Sequence, residues 1–195
     1  MPTVTALRGE PRGRVRVELD GGPWRTLPAE AVVRAGLAVG CVLDRPRART
    51  LRRELRRAEA LARAARALRS RDLPGRALDA RLERAGFAEH ERDAALGTLT
   101  RAGLVDDARY ARARAETLAE RGRGDAAIAW ELERHGIASE LVDAALAELA
   151  PEADRAHALA ERLGRGPSTA RLLARRGFGA DAVEAALGGT FAPEG

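Results

Sequence analysis

The sequence predicts a mainly α-helical protein: three tandem three-helix repeats forming an elongated, curved array, preceded by a small N-terminal α+β unit with a β-hairpin and a long basic helix. Three observations carry this prediction. The first is an internal repeat that aligns without gaps: Leu82, Arg84, Gly86, Phe87, Ala94, Ala95 and Leu96 fall on Leu132, Arg134, Gly136, Ile137, Ala144, Ala145 and Leu146, and again on Leu173, Arg175, Gly177, Phe178, Ala185, Ala186 and Leu187. The spacings of 50 and 41 residues belong to helical repeat arrays. The second is composition: 45% of residues are hydrophobic but only 3% aromatic. Cores built from Leu, Val and Ala suit closely packed helices better than a large sandwich of sheets. The third is a stretch from Arg47 to Arg69 without Gly or Pro, with Leu51, Leu55, Ala58, Ala62 and Ala65 at helical spacing.

The elements follow in order. In VRVELDGGPWRTL, Val15, Val17 and Leu19 alternate on one face, and Asp20-Gly21-Gly22 tolerates the positive φ of a hairpin turn, so two short strands are expected. After Pro28, AEAVVRAG makes a short helix stopped by Gly36, and GCVLD is a further extended segment. This unit spans residues 1–44, and residues 45–57 are the Arg-rich start of the long helix. The repeats then occupy 58–105, 106–150 and 151–195. In the second, Asp106 or Asp107 starts a helix that runs to about Arg121, GRG breaks it, and another runs from Asp125 to His135. Gly136 ends that helix in the left-handed conformation that glycine adopts without penalty. Ser139 starts a third helix, with Leu141, Ala144, Ala145 and Leu149 expected to face inward. A unit of this size buries too little apolar surface alone, so neighbouring repeats must stack.

Charge separates the ends of the chain. Residues 1–71 hold 17 arginines against 7 acids, whereas residues 124–195 hold 7 against 12. The basic end points to an anionic partner, with nucleic acid foremost. Arg47, Arg49, Arg52, Arg53, Arg56 and Arg57 are the DNA-binding candidates, because Glu54 and Glu59 are too few to pair with them.

Chemistry finds little purchase. All 34 basic residues are Arg, which excludes a Gly-Lys-Ser/Thr phosphate loop, a Schiff base and a lysine nucleophile. His90, His135 and His157 are scattered without metal-ligand spacing, and the single Cys41 has no His nearby in sequence. Ser168 and Thr169 follow Gly166-Pro167 and begin a helix. The pair Asp106-Asp107 can in principle hold a metal or act as acid and base, but two acids at a helix start also cap N–H groups and complement the dipole. With no third carboxylate at suitable spacing, the structural role is preferred. No cofactor, no enzymatic activity and no membrane span are expected; the lone Cys and the absence of a signal segment predict a cytoplasmic protein, and a monomer is expected. Trp130 stands apart: its repeat equivalents are Ala80 and Arg171, so the repeat does not need an aromatic there. It is either a binding anchor or a contact between repeats. Arg121 and Arg123, beside glycines just before a helix start, form a loop able to receive an acidic side chain or a phosphate.

The stretch GLVDDARYARA at 103–113, with RGRG at 121–124 and ELERHGI at 131–137, closely resembles the RecX family of regulatory proteins. The resemblance extends from about Ala58 to the C-terminus, and GRVRVELDGG resembles the β-containing extension of many members. It implies a non-enzymatic negative modulator of the recombinase RecA, lodged along the groove of the RecA filament on single-stranded DNA and suppressing ATPase, strand-exchange and co-protease functions. Asp106, Asp107, Arg109, Tyr110, Arg121, Gly122, Gly124, Leu132 and Gly136 occupy its motif positions. With Arg123 and Trp130 added, the candidates for RecA contact are Asp106, Asp107, Arg109, Tyr110, Arg121, Arg123 and Trp130. The rival reading is a tandem three-helix reader of duplex DNA that acts independently of RecA, and a nuclease built on the acid pair ranks third.

Overall fold

The computed structural model describes residues 1–188; the end of the third repeat, 189–195, lies outside them. Three strands, β1 (Val4–Glu10), β2 (Arg14–Leu19) and β3 (Gly22–Pro28), form an antiparallel sheet in that order. The helices α1 (Ala29–Arg34), α2 (Arg45–Leu68), α3 (Gly75–Arg84), α4 (Glu89–Arg101), α5 (Asp107–Glu120), α6 (Asp125–Arg134), α7 (Ser139–Ala147), α8 (Glu152–Leu163), α9 (Pro167–Arg175) and α10 (Ala180–Leu187) follow. The chain is therefore mainly helical with a small N-terminal sheet. It divides into two compact units: residues 1–71 with 78–104, and residues 72–77 with those from Val105 on.

In the first unit the hairpin turn lies at Asp20-Gly21, both at positive φ, and Val17 is buried with Val4, Leu27, Val32 and Leu51. The sequence reading finds β2 and β3 but not β1. The pairing register of β1 shifts between Val4 and Ala6, and that irregularity disrupts the period-two alternation by which a strand is recognised. GCVLD is extended only as far as an isolated bridge from Val42 to Thr3, supported by a 2.9 Å bond in which the Val4 N–H donates to the Cys41 carbonyl. The long helix starts at Arg45. The Asp44 carboxylate accepts from the Arg47 N–H at 2.9 Å, and Pro46 occupies the first turn, where a missing N–H costs nothing.

In the second unit, Ala111, Ala115 and Leu118 of α5 pack with Ile128, Leu132, Ile137, Val142 and Ala145. Ala156, Ala160, Leu173, Phe178 and Ala186 form the equivalent core of α8 to α10. Alanine on the first helix of each set lets the other two approach closely. On α7 the inward face is Val142 and Ala145, about a hundred degrees round from part of the expected one; Leu141 and Leu149 are only partly buried and Ala144 is exposed, because the packing against α5 and α6 selects the face. Ser139 makes no side-chain cap.

The glycine corners conform to expectation: Gly86, Gly136 and Gly177 have φ of 80°, 83° and 84°. Their surroundings differ. A side-chain carbon on Gly86 would meet open space, one on Gly136 would collide with the Arg76 side chain, and one on Gly177 would lie 2.6 Å from the backbone N of Ala127. The latter two corners thus do more than end a helix; each docks onto the first turn of the second helix of the preceding repeat.

Candidate partner-binding surface

The acid pair serves the joints between repeats. Asp106 caps α5, its carboxylate accepting from the Arg109 N–H at 2.9 Å. Asp107 reaches outside its own helix and accepts from the Gly75 N–H at the start of α3, at 2.8 Å. The next repeat uses the same device: Glu152, in the first turn of α8, accepts from the Asp125 N–H at the start of α6 at 2.6 Å, and its other oxygen accepts from the Gly179 N–H at 3.1 Å. Gly75 and Asp125 are equivalent by the 50-residue spacing, so a carboxylate from the following repeat satisfies the same orphan N–H in both places. No cluster of three or more metal-ligating side chains occurs among the described residues.

The RGRG loop is likewise occupied from within. The Gly124 N–H donates to the Arg176 carbonyl at 2.9 Å and the Ala126 N–H to the Gly177 carbonyl at 3.2 Å. With Asp125 bound to Glu152, the N–H groups of Gly124, Asp125 and Ala126 are all engaged by the third repeat; of the two expected occupants, the acidic side chain is the one present. Arg155 closes the joint, donating to the Arg123 carbonyl at 2.9 Å and pairing with Asp125. The sequence reading passed over Glu152 and Arg155, although an acid one residue into a helix that follows Pro151 matches the placement of Asp107. The side chains of Arg121 and Arg123 project from this joint, both residues being exposed.

Tyr110 is partly buried against His135, its hydroxyl 3.0 Å from Nδ1, which ties α5 to the end of α6. Arg114 and Glu131 make a second tie, Nε to Oε1 at 2.8 Å. Arg109 lies 3.6 Å from Asp106. Trp130 is different from all of these: it sits between the buried Ile128 and Leu132 in sequence but on the opposite face of α6, and it is 61% exposed. The guanidinium of Arg134, one turn on, stacks over its ring at 4.9 Å. This pairing lays the guanidinium along one face of a large aromatic surface at the solvent boundary.

On α2 the six DNA candidates separate. Arg56 is committed to the fold: it donates to the Gly86 carbonyl at 2.7 Å, faces the buried Glu91 at 3.3 Å, and stacks over Phe87 at 4.5 Å. Arg47 donates to the Val42 carbonyl at 3.0 Å, Arg53 is 3.4 Å from Glu54, and Arg57 is half-buried beside Glu54 and Glu30. Arg49 and Arg52 are exposed with no ion pair among the described residues. With Arg45 they form a row at steps of three and four, and Arg63 and Arg66 lie on the same face further along, beyond Arg56 and Glu59. The first unit has one more guanidinium worth noting: Arg92 donates to Asp79 at 2.7 Å, and that bond raises its already high pKa.

Comparison with known proteins agrees with this architecture. Residues 106–146 match the family model described as RecX, second three-helix domain. A curated protein described as Regulatory protein RecX, from Halorhodospira halophila (strain DSM 244 / SL1), is 35% identical over 135 residues, covering 63% of this chain and 83% of that protein. Among solved structures, a crystal structure of regulatory protein RecX superposes with a TM-score of 0.83 over 94% of this chain and 98% of the other, at 21% identity. RecX from Lactobacillus salivarius superposes with a TM-score of 0.61 over 68% of this chain and 94% of the other, at 16% identity. At such identities the structural likeness speaks to fold.

Proposed function

The chain belongs to the RecX family of regulatory proteins, and from that premise we propose that it binds RecA and RecA–DNA filaments and inhibits their ATPase, strand-exchange and co-protease activities without catalysing a reaction itself. The observation that carries this reading is Trp130. The second repeat, the part that matches the family model, presents an oriented and exposed tryptophan at a position where the fold needs none. Trp and Arg are among the side chains that dominate the binding energy of protein interfaces. Arg121, Arg123 and Arg109 extend the proposed contact surface, while Asp106, Asp107 and Tyr110 support it through the joints and the α5–α6 tie. The direct test is ATP hydrolysis by RecA on single-stranded DNA with increasing amounts of this protein. A dose-dependent fall is expected, and an unchanged rate together with no co-sedimentation on filaments would sink the proposal.

A second reading, DNA contact by α2, is favoured by those of its exposed arginines that make no ion pair among the described residues. Each phosphate contact that releases a counterion contributes about −0.7 to the slope of log affinity against log salt on single strands. Replacing Arg49, Arg52, Arg63 and Arg66 by Gln should flatten that slope by up to roughly 3. Arg56→Gln is expected to lower stability instead, because it releases Glu91 and the Gly86 carbonyl. Fluorescence anisotropy with a labelled oligonucleotide measures the slope. An unaltered slope in the quadruple variant would remove α2 from any DNA-binding surface.

A further inference from the structure

We propose that the open end of the third repeat, formed by the α8–α9 turn and the outer face of α9, docks an acidic protein segment that presents a carboxylate in the first turn of a helix. The corresponding face of the second repeat is already such an interface. There Glu152 enters at the first turn of α6, the Arg176 and Gly177 carbonyls accept from Gly124 and Ala126, and Leu159 lies against Gly122 in the turn before α6. In the third repeat the equivalent elements are uncovered by the described residues. Gly164 has open space around it where Gly122 meets Leu159 and Arg176, and Leu163 is 53% exposed.

Charge specifies the occupant. Residues 124–195 are acidic overall, with 7 arginines against 12 acids, yet five of those seven, Arg162, Arg165, Arg171, Arg175 and Arg176, fall between 162 and 176, a stretch without a single acid. Arg165 lies 3.8 Å from Glu161; Arg162, Arg171 and Arg175 have no ion pair among the described residues. Ser168, Arg171 and Arg175 share one exposed face of α9 at helical spacing. A local excess of positive charge beside an exposed leucine is complementary to a carboxylate-bearing, partly apolar protein surface. A second copy of this chain fits poorly. Pro167 stands where Ala126 supplies an N–H to the next repeat, and a first repeat brought up to this end would present Arg57 at the position of Asp107.

The inference rests on the RecA reading, since the acidic segment is taken to belong to the filament, and the test separates the two. Arg171→Glu/Arg175→Glu is compared with wild type, Trp130→Ala and the conservative Arg171→Lys/Arg175→Lys in co-sedimentation with RecA filaments on single-stranded DNA. Each variant is also measured for melting temperature and for anisotropy with the same DNA free of RecA. The charge reversal is expected to weaken filament binding about tenfold, the lysine pair to retain most of it, and melting and free-DNA affinity to stay unchanged. Wild-type binding by the charge-reversed protein, with Trp130→Ala impaired, overturns this surface and leaves the RecA reading intact. A loss that follows free-DNA affinity overturns the protein occupant in favour of phosphate. Failure of the wild-type chain to bind filaments overturns both. Should the reversal lower the melting temperature, Arg171→Gln/Arg175→Gln repeats the comparison under the same criteria.

Discussion

Gly124→Ala is expected to destabilise the protein by about 3 kcal/mol, a large effect for one methyl group. The backbone of Gly124 is at φ −83° and ψ 168°, a conformation open to any residue, so no intrinsic strain enters. The whole cost is steric. A side-chain carbon there would overlap the backbone of Gly177 and Phe178, the corner of the third repeat, which is held by the Gly124 to Arg176 hydrogen bond. Relief requires the third repeat to move off the second, breaking that bond and the bond from Ala126 to Gly177, and displacing Glu152 from Asp125. Two controls isolate the mechanism. Gly97→Ala, in the middle of α4 with only the tip of Arg101 at 3.4 Å, should stabilise by about 0.5–1 kcal/mol through helix propensity. Gly86→Ala, at φ 80° in open space, should cost about 1 kcal/mol from conformation alone. Urea denaturation followed by circular dichroism ranks the three; a Gly124→Ala protein as stable as wild type would disprove the close docking of the corner.

Trp130→Ala should leave folding nearly untouched and damage function. With 61% of its surface exposed and its main internal contact a cation–π stack with Arg134, the side chain contributes little to the core, and a surface change of this kind stays within about 0.5 kcal/mol. At an interface the same ring is a candidate hot spot, for which truncation costs about 2 kcal/mol or more, equivalent to roughly thirtyfold in affinity. The concentration needed for half-inhibition of the RecA ATPase should rise accordingly while the melting temperature holds. Arg134→Gln should produce a smaller loss, because it frees the ring without removing it. If Trp130→Ala inhibits as well as wild type, the partner surface lies elsewhere on the second repeat or off it.

Much of this architecture was legible in the residues because its signals are local. Asp106 announces a helix start through a side chain that bonds the N–H three residues on, and Gly86, Gly136 and Gly177 announce ends because the turn needs positive φ. Periodicity within one helix places Ile128 and Leu132 inside and, by exclusion, Trp130 outside. The repeat itself is visible because the same local solution is written three times. The first strand was missed where locality failed, since a register shift removes the alternation that would reveal it.

What the sequence by itself determined, then, is the repeat of helices, their corners and the inward face of α6, but not that of α7, where Val142 rather than Ala144 is buried. Tertiary structure alone decided which groups meet across some 30 residues: that Asp107 satisfies Gly75, that Glu152 satisfies Asp125, that Arg56 is bound to Glu91 and the Gly86 carbonyl, and that the RGRG loop is filled from within. The physical reason is that a carboxylate or guanidinium carries the same charge and hydrogen-bonding capacity wherever it stands. Its local sequence sets the helix position it occupies, but only the packing of other segments determines whether its partner is a neighbouring helix, an ion or another molecule.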